Sequence, residues 1–134
     1  MKLKVDKAIT VFLWLVALDS FLIGISLIFL PSEVFEFLGF NPTFDRFFST
    51  QGGVFHIAMA VCYAMAAVDL IKYKQLIIFS IIVKFIATVF LLSYYLTISS
   101  QWMIILSAVS DLLMGIVLLY FFLLLNKEFY FNLK

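Results

Sequence analysis

Long apolar runs interrupted at short polar intervals dominate the chain, and these runs cover residues 8–30, 50–69, 76–96 and 102–125. Pro31 stops the first and Asn126-Lys127 closes the last. Each approaches the ~20 residues that a helix rising 1.5 Å per residue needs to cross ~30 Å of hydrocarbon. Period-two alternation is absent, and an open sheet would leave backbone groups unpaired in lipid. The pattern therefore predicts an all-α fold: an integral membrane four-helix bundle of antiparallel, up-down topology, built as one domain over residues 1–134. The outer loop, 31–49, is the one sizeable stretch outside the spans. In it Ser32 is placed to cap a short helix through residues 33–38, with Glu33 and Glu36 favourable in its first turn. Gly39 is placed to end that helix, and the turn Asn41-Pro42 follows. The loop's phenylalanines predict an interfacial helix lying on the outer surface.

Composition and charge set the chain's surroundings and direction. With 66% of residues hydrophobic and 13% charged, the chain departs from the soluble average of about half apolar and a quarter charged. The lipid bilayer is its expected solvent. A formal charge of +1 carries no nucleic-acid footprint. Cys62 has no partner for an intrachain disulfide or a CxxC pair. The start, Met1-Lys2-Leu3-Lys4, has the outline of a secretory signal, but the apolar run that follows is longer than the ~7–15 residues of a signal core. It also lacks an Ala-x-Ala site, so an uncleaved first helix is expected. Lys2, Lys4, Lys7, Lys72, Lys74, Lys127 and Lys134 fall on one side of the spans and Arg46 on the other. The positive-inside rule makes the lysine-rich side cytoplasmic, with both termini there. Tyr94, Tyr95 and Trp102 then fall at the outer boundary, where amphipathic rings anchor.

Candidate chemistry lies within the spans. Asp19, His56, Lys84 and Asp111 are intramembrane ionisable groups, which mark functional sites by default. At 1.5 Å per residue, Asp19 lies about 16 Å and Lys84 about 12 Å from the cytoplasmic end, Asp111 about 14 Å and His56 about 9 Å from the outer end. Asp19, Lys84 and Asp111 are thus expected at one level, with His56 and Tyr63 above it. The stripes Ser80-Lys84-Thr88, Ser107-Asp111-Gly115 and Gly52-His56-Ala60, continued by Tyr63 and Ala67, should all face inward. A central Asp or Lys costs about 2.5–3.5 kcal/mol on insertion, so Lys84 is expected to pair with Asp19 or Asp111. Two carboxylates against one ammonium leave a net negative charge. One carboxylate should then keep its proton near neutrality, or His56 should be charged, and such a site exchanges protons. Against this stands a network that merely fixes helix packing and register.

Other features weigh less. A lone His56 reads as a hydrogen-bonded interior histidine before a metal ligand, and a haem held by two histidines is excluded; no metal or cofactor is expected. HExxH, GxSxG, P-loop and dinucleotide motifs are absent, so catalytic residues are not assigned and an enzyme is not the expected class. Gly52-Gly53 suits close packing better than anion binding. Asp69 falls at the cytoplasmic boundary, where solvation accounts for it.

Asp19 with Gly24, Pro31 with Leu38-Gly39, Gln51-Gly52-Gly53, Tyr63 with Ala66-Ala67-x-Asp69, Lys84 and Asp111 form a pattern spanning nearly the whole chain. In this the chain resembles a broad group of small bacterial four-helix membrane proteins of DoxX-like layout; DoxX proteins proper usually carry a glutamate in the second helix, where this chain has His56. The resemblance implies a bacterial inner-membrane location and a four-helix bundle, and no particular reaction. The function expected is an intramembrane polar site of Asp19, Lys84 and Asp111, with His56 and Tyr63, that binds a small or lipid-like ligand or exchanges a proton. The alternatives are an accessory subunit docked on a membrane partner or on further copies of itself, and a small proton-coupled exporter.

Overall fold

The computed structural model describes the backbone of residues 2–40 and 46–131, and side chains within 5–40 and 46–127. The described residues form five helices and no strand: α1 Lys2–Phe29, α2 Ser32–Phe37, α3 Phe47–Val68, α4 Lys74–Thr97 and α5 Trp102–Phe131. All but α2 are long and apolar enough to cross a membrane. Within each candidate span only 17 to 28% of the residues are buried. Most of each apolar helix therefore faces outward, including Leu22, Val61, Ile82 and Leu113, each at least half exposed. In water every such side chain would forgo about 1.5–3 kcal/mol of burial, whereas in lipid that cost vanishes. A multi-pass helical membrane protein is the class of fold these faces define.

Contacts join α1 to α3 and α5, and α4 to α3 and α5. Among the described residues this makes a ring in the order α1, α3, α4, α5. The inward positions recur at alternating three- and four-residue steps: Ile9, Leu13, Val16, Ser20 on α1; Ile77, Ile81, Lys84, Thr88 on α4; Ile104, Ala108, Asp111, Gly115, Leu118 on α5. All are buried except Asp111, which is half-buried. Such spacing keeps one stripe facing the neighbouring helices along the whole bundle.

Two helix pairs are locked differently. On α1 and α3 the backbones touch: a Cβ on Gly24 would stand 2.7 Å from the Gly53 carbonyl, and one on Gly53 would stand 2.6 Å from the Gly24 carbonyl. Gly53, not Gly52, makes this approach, because Gly52 faces only Leu27 at ordinary contact distance. On α4 and α5 the lock is polar, through Lys84 and Asp111, with Gly115 admitting Lys84: its Cβ would lie 3.3 Å from the lysine Cβ.

The termini of the helices differ from the sequence expectation in detail. α1 starts, and α5 ends, several residues beyond the apolar runs, since polar residues continue a helix freely once outside hydrocarbon. Pro31, in extended conformation, is the N-cap of α2, and Ser32 is already helical with no side-chain cap bond. Gly39 ends α2 with φ +92°. Its N–H donates to the Glu36 carbonyl and the Phe40 N–H to the Phe35 carbonyl, the paired bonds of a Schellman stop. Arg46 lies over the Phe35 ring and donates to the Leu27 and Ile28 carbonyls, tying this segment to the end of α1. Asp69 is more than a solvated acid: its Oδ1 accepts from the Ile71 and Lys72 N–H groups and closes the α3–α4 turn. The turn Asn41-Pro42 lies outside the described residues.

Candidate functional site

The polar groups of the interior gather where the two locked helix pairs meet. One turn inside the Gly24–Gly53 contact, Ser20 Oγ and His56 Nδ1 are 3.4 Å apart, with the histidine tautomer deciding which group donates. The backbone approach sets this pair, since Ser20 lies four residues before Gly24 and His56 three after Gly53. On α4 the Lys84 side chain is 6% exposed and meets Asp111 Oδ1, on α5, at 2.5 Å; the Asp111 side chain is 18% exposed. Lys84 Nζ also lies 5.7 Å from the centre of the Tyr63 ring, within range of a cation–π attraction. Tyr63 is fully buried against Val16, Ala17, Met59 and Met114. It therefore stands beside the ion pair, not above it: seven residues beyond His56, it lies about 10 Å further along α3.

Asp19 is the group left over. Its Oδ2 is buried without a hydrogen-bond partner. Lys84 has taken Asp111 and not Asp19. Ser80 and Thr88, expected to share the polar stripe with Lys84, are buried but spend their hydroxyls on their own helix, donating to the Leu76 and Lys84 carbonyls. Neither serves Asp19 or the ion pair through these bonds.

Below this layer the interior is apolar. Ile9, Leu13, Ala66, Ile77, Ile81 and Leu118 form a buried cluster, backed by Phe12, Phe85 and Phe121. Polar chemistry is thus concentrated in the half of the bundle toward Gly24 and Gly53, and the half toward the termini is apolar apart from Ser80, bonded to its own helix, and Asp6, whose Oδ1 is buried. Sequence reasoning missed Ser20 as the partner of His56, because nothing within one helix says which neighbour its polar face will meet.

Among the described residues the arrangement is a helical membrane protein with one buried ion pair and two carboxyl oxygens buried without a partner, Asp19 Oδ2 within the span and Asp6 Oδ1 at its lysine-rich end. No family model, curated protein or solved structure matches the chain.

Proposed function

We propose that the chain is a multi-pass protein of DoxX-like layout in a bacterial inner membrane, and that its interior polar layer exchanges a proton at Asp19. An antiparallel up-down topology is supported by the contacts Gly24 with Gly53 and Ser20 with His56, and Lys84 with Asp111 and Gly115. On α1 and α3 the later residue of one helix meets the earlier residue of the other, and on α4 and α5 Leu91 and Tyr94 line one cavity with Met103 and Ser107 while Lys84 meets Asp111. Cytoplasmic termini are supported by the seven lysines on that side.

The unbonded Oδ2 of Asp19 carries the reading. Lys84 and Asp111 neutralise each other, so Asp19 is the surplus acid of the layer. An ionised carboxylate with a buried, unpartnered oxygen is costly, and taking up a proton removes that charge. Ser20 follows it on α1 and bonds with His56, and Tyr63 lies beside Lys84, so the layer also holds groups able to pass or accept a proton. Infrared difference spectroscopy of the purified protein, titrated in H2O and D2O, tests this. A protonated-carboxyl band that shifts in D2O and titrates is expected in the unmodified protein and is lost in Asp19→Asn. No such band, or one that survives in Asp19→Asn, refutes the reading.

A packing role is the second reading, and the Lys84–Asp111 contact favours it for those two residues, because a buried pair fixes one register between α4 and α5. It does not account for Asp19, which bonds to neither.

A further inference from the structure

We propose that the polar layer is reached from one side only: from the lysine-poor end, through a vestibule between α4 and α5, while the lysine-rich end is sealed. This deepens the proton-exchange reading and rests on it for the purpose of the access, though the path stands on geometry of its own.

The vestibule is an open cavity of about 220 Å³ lined by Phe40, Leu91, Tyr94, Met103 and Ser107 among others. Ser107 is its innermost polar member. It sits four residues before Asp111 on the same face of α5, a rise of about 6 Å, so the cavity ends one turn from the ion pair. The Tyr94 and Ser107 hydroxyls give a water or hydronium entering it hydrogen-bond partners in walls that are otherwise apolar. Ser20 and His56 lie on this same side of Asp19.

The opposite end also has a cavity, about 310 Å³, lined by Asp6, Asp69, Lys74, Asn126 and the apolar Leu70 and Leu125. It does not lead inward. Leu70 belongs to the buried apolar cluster and Leu125 packs against it, and that cluster fills the two to three turns between this cavity and Lys84. The buried polar side chain within this stretch of α4, Ser80, spends its hydroxyl proton on the Leu76 carbonyl, so a water there would find too few polar partners to be held.

Accessibility of introduced thiols tests the path. In a Cys62→Ser background, Ser107→Cys and Leu91→Cys report on the vestibule, and Ile77→Cys and Leu118→Cys on the seal. A membrane-impermeant, positively charged methanethiosulfonate is added to right-side-out and to inverted vesicles. Vestibule thiols are expected to react from the outer face about tenfold or more faster than from the cytoplasmic face, with the seal thiols unreactive from both. Reaction of Ile77→Cys or Leu118→Cys from the cytoplasmic face overturns the proposal. So does a failure of both vestibule thiols to react from outside in protein that still elutes as a folded species. The infrared test of Asp19 is independent: the thiol pattern with no titrating band sinks proton exchange and keeps the path, and the band with a reversed pattern does the opposite.

Discussion

Removing both partners of the Lys84–Asp111 pair should cost far less than removing either one. Lys84 is almost wholly buried and Asp111 mostly so, and stranding one charge in such a site costs about 3–5 kcal/mol. Lys84→Met and Asp111→Leu should therefore each destabilise the bundle by about that much. In the double variant both charges are gone. It also loses the attraction of the Tyr63 ring for the ammonium, worth about 0.5–2 kcal/mol. Replacing a buried pair by apolar side chains of similar volume returns about 1–4 kcal/mol, so the double variant should lie within about 2 kcal/mol of the parent. Equilibrium unfolding in mixed micelles, by detergent titration or steric trapping, supplies the three differences of the cycle. A double variant that loses the sum of the two single effects refutes the coupling. It would also undo the assignment of Asp19 as the surplus acid, because Lys84 would then be free to neutralise either carboxylate.

Three further variants separate close packing from backbone strain. Gly53→Ala brings a Cβ to 2.6 Å from the Gly24 carbonyl, forcing α1 and α3 apart at a cost of about 1–3 kcal/mol. Gly52→Ala meets only Leu27 at 3.9 Å and should unfold at the same detergent fraction as the parent, so equal effects at the two positions contradict the crossing point. Gly39→Ala has space around its Cβ but keeps φ +92°, which costs an L residue about 1–2 kcal/mol. Hydrogen exchange at the amides of α2 should quicken while global unfolding is unchanged, and unaltered protection would show that the stop does not depend on a left-handed residue.

The four long helices were legible because length and hydropathy alone decide whether a segment can cross hydrocarbon, and no neighbour is needed to judge it. The pairing of Lys84 with one of two carboxylates was legible for a related reason: depth follows from counting residues, and Lys84 and Asp111 do meet. What lies between helices was not. That Asp111 and not Asp19 takes Lys84 depends on α5, not α1, standing beside α4, a matter of ring order that no single helix encodes. The glycine contact was displaced by one residue for a geometric reason. A stripe drawn at uniform four-residue steps through Gly52, His56 and Ala60 drifts by about 40° per step on a helix of 3.6 residues per turn. The observed seam alternates threes and fours through Gly53, His56, Ala60, Tyr63 and Ala67 and does not drift. Tyr63 falls above the charged layer only if it is taken as level with His56, but seven residues separate the two along α3, about 10 Å of rise.

Helices in lipid gain nothing from the hydrophobic effect when they meet, so their pairing must come from close backbone approach or from polar contacts. This chain uses one of each. Gly24 against Gly53 sets α1 on α3, and Lys84 against Asp111 sets α4 on α5, with Lys84 reaching across to Tyr63 of α3 to join the halves. Once these contacts are made, the register of all four helices is specified and Asp19 has contributed nothing to it through its unbonded Oδ2. A central aspartate still costs about 2.5–3.5 kcal/mol to insert, and an asparagine or serine at position 19 would satisfy the fold at lower cost. A packing role therefore explains Lys84 and Asp111 and stops there, which is why the proposed proton exchange rests on Asp19.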